Sequence, residues 1–226
     1  MSHRPVPSPS LSPAALDWRP LRPEDLPAMH ALHLCSIAGM AAQTVKPETR
    51  EFLHGLLQGR GRVIGAWQGG ALAAYGVLQH DLLAQDDPRA LLGLAPSHAL
   101  YKLAGAAVAP PWRGQGLQRQ LIARRVAWAG DAALFATAAP GNMPSWRSLL
   151  ACGFMVRALQ YRYGGHARYL LARVPRELAP DAPARELPLD DLPGQEALLA
   201  RGWRGIAPGQ APGSLRLAAP AGGGQP

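Results

Sequence analysis

The sequence predicts an α/β fold, in which a mixed, twisted and mostly antiparallel sheet of about six to seven strands carries helices on both faces. Three observations predict it. The chain has 226 residues and 48% of them are hydrophobic, so it can bury one sizeable core. Two β-rich runs joined by Gly69-Gly70 require antiparallel neighbours. Beyond Leu100, strand patterns alternate with helix patterns, which is typical of a sheet covered by helices.

The first part of the chain predicts two helices and then a hairpin. Pro23, Glu24 and Asp25 put a proline and two carboxylates where a helix N-terminus favours them. The dipeptide Gly69-Gly70 accepts the positive φ angles of a two-residue turn. The predicted elements are a strand at 16–21, a helix after residue 25, a helix at 47–57, and hairpin strands at 62–68 and 71–79.

The second part of the chain predicts strands in alternation with helices. Leu117, Leu121, Ile122 and Val126 recur at helical spacing and form one apolar stripe. The predicted elements are a strand at 100–108, a helix at 116–129, a strand at 132–137, a helix at 142–151, and strands at 154–163 and 167–174.

Composition divides the chain into five parts. The main domain is predicted to end near Pro175, because the following run is rich in proline, alanine and charge. Asp190 and Asp191 can cap a short helix beyond it. The predicted parts are a disordered tail at 1–15, the domain at 16–175, a linker at 176–187, a small helix-strand appendage at 188–217 and a disordered tail at 218–226.

Charge and composition argue against several classes of protein. No run of eighteen apolar residues and no signal-peptide pattern occurs, so we expect a soluble, cytoplasmic protein without membrane binding. The net charge of +8 comes from scattered residues, nearly all arginine, which does not favour nucleic-acid binding. The two cysteines, Cys35 and Cys152, have no metal-ligand spacing, and we expect no metal.

The loop between the strand ending at Val108 and the following helix is the most informative segment. Glycines let a backbone approach a ligand closely, and a helix N-terminus attracts anions. The third glycine of a dinucleotide-binding motif and the Gly-Lys-Ser/Thr of a Walker A loop are both missing. The segment alone fits an anion cradle and an ordinary strand-to-helix connection equally well.

This loop resembles the cofactor motif of the GNAT acetyltransferase family, Val-x-Pro-x-x-Arg-Gly-x-Gly. The matching residues are Val108, Pro110, Arg113, Gly114 and Gly116. Gln118 stands where the family usually has a small residue.

A second segment resembles the family's Asn-x-x-Ala/Ser helix that ends in Gly-Phe. The matching residues are Asn142, Ser145, Gly153 and Phe154. From the residues alone, Asn142 is a good helix N-cap and Gly153 suits the position after the helix end.

The resemblance implies acetyl-CoA as cosubstrate and an amine on a small molecule or peptide as acceptor. Pantetheine would lie where the strand ending at Val108 and the strand beginning at Ala132 splay apart. The residues implied to bind the cofactor are Ala106, Ala107, Val108, Arg113, Gly114, Gln115, Gly116, Leu117, Gln118, Arg119, Asn142 and Ser145.

Catalysis in the family is direct attack of the amine on the thioester. Many relatives carry a tyrosine acid where this chain has Leu149. Tyr161 and Tyr163 are candidates to replace it, although each also fits a half-buried strand residue, and Ser148 is a further hydroxyl. His80 is the candidate base, although a loop histidine is more often solvated.

Two further alternatives stay open at this point. The missing tyrosine is also compatible with a non-catalytic protein of the same fold that binds or senses acyl-CoA. The segment 188–217 could cover the acceptor site, pair two protomers as a homodimer, or do neither.

Overall fold

One ten-stranded sheet organises the chain in this computed structural model, which describes residues 16–41, 43–45, 47–174 and 183–220. The strands are β1 (Asp17–Pro20), β2 (Gly61–Gln68), β3 (Ala71–Gln79), β4 (Leu100–Val108), β5 (Ala133–Ala138), β6 (Met155–Arg162), β7 (His166–Arg173), β8 (Ala184–Pro188), β9 (Arg204–Pro208) and β10 (Ser214–Ala218). They lie in the order β1-β2-β3-β4-β5-β7-β6-β9-β10-β8. Only β4 and β5 pair in parallel among these strands. The predicted mixed, mostly antiparallel sheet is confirmed.

Helices cover both faces of the sheet, as predicted. The described part of the chain forms α1 (Leu26–Ile37), α2 (Arg50–Gly55), α3 (Arg89–Leu92), α4 (Leu117–Ala129), α5 (Met143–Leu150) and α6 (Leu192–Ala200). Tyr75 and Val77 of β3 pack against α1 and α2, whereas Ala74 on the opposite face packs against α4. This follows from the alternation of side chains along a strand. We call these the α1 face and the α4 face.

The hairpin at Gly69-Gly70 is confirmed. The two glycines have φ of +54° and +83°, and Gln68 pairs with Ala71 across the turn. The helix predicted over 47–57 begins later, at Arg50, because the side chain of Thr49 caps it by accepting a hydrogen bond from the amide of Phe52 at 3.1 Å.

The C-terminal segment extends the same sheet. β9 pairs with β6 at Gly205 and Val156, and β10 pairs with both β9 and β8. The predicted count of six to seven strands is therefore too low by these three strands. Strand Ala184–Pro188 overlaps the end of the range 176–187 that was predicted to be a linker and reaches the first residue of the predicted appendage. The residues 1–15, 175–182 and 221–226, which include most of the predicted tails and linker, lie outside the described residues.

Across the described ranges, no helix is long and apolar enough to cross a membrane.

Candidate active site

A gap opens in the sheet where β4 and β5 diverge. Their parallel pairing runs from Leu100 and Ala133 to Lys102 and Phe135. Beyond these residues β4 pairs with β3, and β5 pairs with β7. This is the splay that the family resemblance implies.

A bulge in β4 lies beside this gap. Gly76 pairs with Ala106, but Leu78, two residues further along β3, pairs with Leu103, so β4 carries one extra residue over this stretch. Bulges interrupt the regular ladder and redirect the strand. Backbone N–H and C=O groups on the edge of β4 that faces the gap are therefore available to hydrogen-bond a ligand.

The gap leads into a cleft of about 180 Å³ whose lining comes from both faces of the sheet. On the α4 face the lining includes Gln118, Arg125, Asn142, Ser145 and Leu149. On the α1 face it includes Thr44, Glu48, Phe52, Lys102, Tyr163 and Arg168. The cleft can therefore receive two reactants from opposite faces of the sheet.

The loop after β4 ends in an uncapped helix N-terminus. Gly114 and Gly116 have φ of +77° and +78°, a conformation that glycine adopts without strain. A Cβ at either position would meet no atom within 4 Å, so the backbone conformation is what requires glycine. Gly116 is the N-cap of the 13-residue α4, and no side chain caps it in the described structure. Its first amides and the helix dipole can therefore attract an anion.

Side-chain hydrogen bonds hold this loop in place. Arg113 donates from Nε to the carbonyl of Val108 at 3.2 Å and from Nη2 to the carbonyl of Ser36 at 3.3 Å. Gln115 donates from Nε2 to the carbonyl of Pro111 at 3.0 Å. These bonds tie the loop to β4 and to the end of α1, which fixes the direction of its amides.

The implied cofactor residues occupy three kinds of position, and their role in binding stays a prediction. Four of them line the cleft: Ala106, Gln118, Asn142 and Ser145. Those in the loop or at the exposed start of α4 are Arg113, Gly114, Gln115, Gly116 and Arg119. Ala107 and Leu117 have buried side chains in the core, and Val108 packs against it, so these three can offer backbone groups only.

Asn142 occupies the N-cap of α5 but does not cap it. Its side chain makes no capping hydrogen bond within the described structure, and it lines the cleft together with Ser145. The N-cap interpretation from sequence is correct for the position and wrong for the hydrogen bond. An amide side chain directed toward a cleft can bind a ligand instead.

The structure separates the predicted catalytic residues. Tyr163 lines the cleft, whereas Tyr161 is 54% exposed on a shallow surface beside Glu196. His80 lies outside the cleft, and its ring packs against Tyr101 with a centroid distance of 4.8 Å. Ser148 donates its hydroxyl to the carbonyl of Pro144 at 2.7 Å. Of these four, the geometry favours Tyr163 alone.

Sequence reasoning missed four charged residues that line the cleft. These are Glu48, Lys102, Arg125 and Arg168. Glu48 lies in the range 47–57 predicted to be a helix, where an acidic residue in the first turn is ordinary. An arginine on a predicted helix or strand is expected at the surface, because burial of arginine is rare and depends on the tertiary structure.

A buried hydrogen-bonded chain positions Glu48. The Glu48 amide donates to Nε2 of His33 at 3.0 Å, so Nδ1 carries the proton of the neutral ring and donates to the Tyr75 hydroxyl oxygen at 3.2 Å. Burial, with a smaller effect of His30, lowers the pKa of His33 and keeps it neutral. These two hydrogen bonds connect the loop before α2, through His33 of α1, to β3.

Arg125 crosses the α4 face of β3 and is almost fully buried. Its guanidinium donates from Nε to the carbonyl of Leu121 at 3.0 Å and from Nη1 to the carbonyl of Val77 at 3.1 Å. A Cβ on Gly76 would lie 2.9 Å from Nε, so glycine leaves room for it. Burial lowers the pKa of Arg125 to about 9, so the group stays charged at neutral pH.

Within the described ranges, no cluster of three or more His, Cys, Asp or Glu side chains could hold a metal ion.

Comparison with known families decides the assignment. The model of the Acetyltransferase (GNAT) family matches residues 27–154, which is more than half of the chain. The chain belongs to the GNAT acetyltransferase family. The match includes the loop after β4, α4 and α5, and therefore both segments whose motifs resemble the family.

Solved GNAT structures share this fold at low sequence identity. The ribosomal-protein-S18-alanine N-acetyltransferase of Escherichia coli is 18% identical with a TM-score of 0.52, and the match covers 74% of this chain and 97% of that one. A putative acetyltransferase, yncA, of Salmonella typhimurium, solved with its cofactor acetyl-CoA, is 16% identical with a TM-score of 0.54, covering 75% and 100%. At these identities the likeness establishes the fold. No curated protein matches the chain.

The coverage values also show that this GNAT protein is longer than the two neighbours. The two neighbours align over nearly their whole length but leave about a quarter of this chain unmatched. Residues 183–220, with β8, α6, β9 and β10, lie beyond the family match.

Proposed function

We propose that this GNAT protein is an N-acetyltransferase that transfers the acetyl group of acetyl-CoA to an amine of a small molecule or peptide. The cleft between β4 and β5 carries the proposal, because it has an anion cradle on the α4 face and a polar pocket on the α1 face. The acetyl-CoA in the Salmonella neighbour and the N-acetyltransferase name of the Escherichia coli neighbour support the donor and the reaction type.

The residues present fit a CoA ester. The amides at the start of α4 would bind the pyrophosphate, and the left-handed glycines keep side chains away from it. The bulged edge of β4 would hydrogen-bond the two amides of pantetheine. The Asn142 side chain, which makes no capping bond in the described structure, adds a polar group to the same wall.

Glu48 is the proposed base. An ammonium group with a pKa of about 10.4 must lose a proton before its nitrogen can attack. The nitrogen then forms a C–N bond with the thioester carbonyl carbon, the C–S bond breaks, and the sulfur leaves as a thiolate that takes up a proton. Glu48 is the one carboxylate among the described residues that line the cleft, so it is suited to accept the amine proton.

Arg125 is the proposed stabiliser of the leaving thiolate. Leu149, which is 4% exposed and lines the cleft, stands where many relatives have a tyrosine acid. Arg125 lines the same α4 face, beside the strand pair of Gly76 and Ala106 next to the bulge. A fixed positive charge in a site shielded from water stabilises a developing anion strongly.

Isothermal titration with acetyl-CoA tests the donor site. Gly116→Asp should abolish binding, because it places a carboxylate at the phosphate cradle. Gly93→Asp is the matched control, since Gly93 also has a left-handed φ of +67° and open space at its Cβ but ends α3, outside the cleft. Equal affinity of wild type and Gly116→Asp would contradict the loop assignment.

A second candidate function is binding or sensing of acyl-CoA without transfer. Leu149 supports it, since a buried leucine cannot donate a proton to the thiolate. Release of free CoA thiol that depends on an added amine distinguishes the two functions. Binding of acetyl-CoA without such release over a broad panel of amines would favour the second.

A further inference from the structure

Arg168 of β7 lines the cleft and carries a buried donor that has no hydrogen-bond partner among the described residues. Its residue exposure is 4%, and Nη1 donates to the carbonyls of Gln43 at 2.6 Å and Ala167 at 2.9 Å. Nη2 is also buried and has no hydrogen-bond partner among the described residues. Because a buried charged donor without a partner is costly, such a group on the wall of a cleft is suited to bind an acceptor atom of a ligand.

Arg168 lies on the α1 face, opposite the cradle. Its neighbours Leu170 and Ala172, on the same side of β7, pack with Phe135, whereas Tyr169 and Leu171 on the other side pack with the core under α5. The loop before α2 covers Arg168 through the Gln43 carbonyl. The group therefore belongs to the half of the cleft where the acceptor would bind.

The charges around Arg168 select an anion. It forms no ion pair with a carboxylate within the described ranges, although its guanidinium lies 5.6 Å from the centre of the Tyr163 ring. Lys102 lines the same half of the cleft and Arg125 lines the α4 half, against Glu48 as the one carboxylate in the described lining. This excess of positive charge would repel a polycationic acceptor and attract a carboxylate.

We propose that Arg168 binds a carboxylate of the acceptor, so that the acceptor is a small amine that also carries a carboxylate, such as a free amino acid. This rests on the proposed acetyl transfer and narrows its acceptor class. Nη2 donates the charge-assisted hydrogen bond to the carboxylate, while the amine lies toward Glu48. The cleft would thus offer the cation Arg168 to the carboxylate of a zwitterion and the anion Glu48 to its ammonium group.

The first experiment compares matched acceptors with the wild-type full chain. The twenty standard L-amino acids, their carboxamides and spermidine are offered with acetyl-CoA, and release of CoA thiol is followed. We expect at least one amino acid to be acetylated with a kcat/KM about 10- to 100-fold above that of its carboxamide, the range for a charge-assisted hydrogen bond. Spermidine should be a poor acceptor.

Arg168→Gln then tests the residue. The KM of the best amino acid should rise about 10- to 100-fold, with little change in the KM of its carboxamide or in the acetyl-CoA affinity. Arg168→Lys, which retains the charge, should recover part of the loss. Arg173→Gln is the matched control, because Arg173 lies on the same strand but outside the cleft lining.

The outcomes separate this inference from the proposed function. Equal or better use of carboxamides or spermidine would overturn the carboxylate site while leaving acetyl transfer intact. Binding of acetyl-CoA with no amino acid accepted would also overturn it. Failure to bind acetyl-CoA would instead contradict the donor site. If Arg168→Gln does not fold, the wild-type preference still decides the acceptor class.

Discussion

The hydroxyl of Tyr169 on β7 donates a hydrogen bond of 2.6 Å to Oε1 of Gln195 on α6. Both residues are fully buried, and Gln195 donates in turn from Nε2 to the carbonyl of Pro188 at 2.5 Å. Burial raises the pKa of Tyr169, so the phenol remains a donor throughout the neutral range. This bond joins the C-terminal segment to a strand that also carries Arg168, so the added segment and the cleft share one core.

Tyr169→Phe should destabilise the whole chain. The substitution leaves Oε1 of Gln195 buried without its donor, which costs about 1–3 kcal/mol. For a chain of this size the Tm should fall by about 2–12 °C. Thermal unfolding followed by circular dichroism measures the change. Tyr161→Phe is the control, because the Tyr161 side chain is exposed. An equal Tm for Tyr169→Phe and wild type would show that the bond adds nothing to stability.

Asp25 should contribute an acid-sensitive part of the stability. Two hydrogen bonds from Arg19, at 2.7 and 2.8 Å, and one from the Arg22 amide hold the pKa of Asp25 below its usual value. A carboxylate with a depressed folded-state pKa stabilises fully above the ordinary value of about 3.9 and loses this effect as the pH falls through the lower value.

Asp25→Asn therefore should lower the Tm at pH 7 and flatten its dependence on pH below about 4. Thermal unfolding at a series of pH values measures both effects. Asp190→Asn, at an exposed position, is the control and should change neither. An unchanged acid limb in Asp25→Asn would assign the acid sensitivity to other carboxylates.

Local signals account for the parts of the fold that were predicted correctly. The Gly69-Gly70 turn and the glycines of the loop after β4 depend on φ angles that glycine alone adopts without strain. The C-terminal strands lacked such signals. β8 is an edge strand with mostly exposed side chains, so its sequence shows no alternation and its pairing with β10 supplies the missing information.

The candidate site also has a part that the sequence predicts and a part that only the structure shows. The loop proposed to bind the cofactor is contiguous in sequence, so a motif could find it. Glu48, Arg125 and Arg168 come from three distant segments that meet only in the folded sheet. Nη2 of Arg168 lacks a partner among the described residues because of the packing around it, which no sequence pattern encodes.

Arg125→Met should separate catalysis from binding. If the guanidinium stabilises the thiolate, kcat should fall about 100-fold, the order of loss for one preorganised donor, with little change in acetyl-CoA affinity. Folding should survive, because replacing a buried charge by an apolar side chain of similar length is often tolerated. Stopped-flow thiol release and isothermal titration measure the two quantities.

The control for Arg125→Met lies on the same helix. Arg124→Met removes an arginine whose guanidinium lies 4.1 Å from the centre of the Trp18 ring, outside the cleft lining. Its kcat should equal that of wild type. A normal kcat in Arg125→Met would contradict stabilisation of the thiolate by Arg125. Tyr163 would then be the next candidate in the cleft.

Glu48→Gln should slow acetyl transfer at neutral pH by about 100-fold, the usual contribution of a general base. Gln keeps the size of the side chain but cannot accept the proton of an ammonium group. The defect should shrink as the pH approaches the pKa of the acceptor amine, because a growing fraction of the amine is then already neutral.

Glu51→Gln is the matched control, since Glu51 lies one turn away on α2 and outside the cleft lining. The measurement is kcat/KM from pH 6 to about 10, near the amine pKa. A defect of equal size at every pH would contradict proton removal by Glu48 and assign it to positioning the acceptor instead.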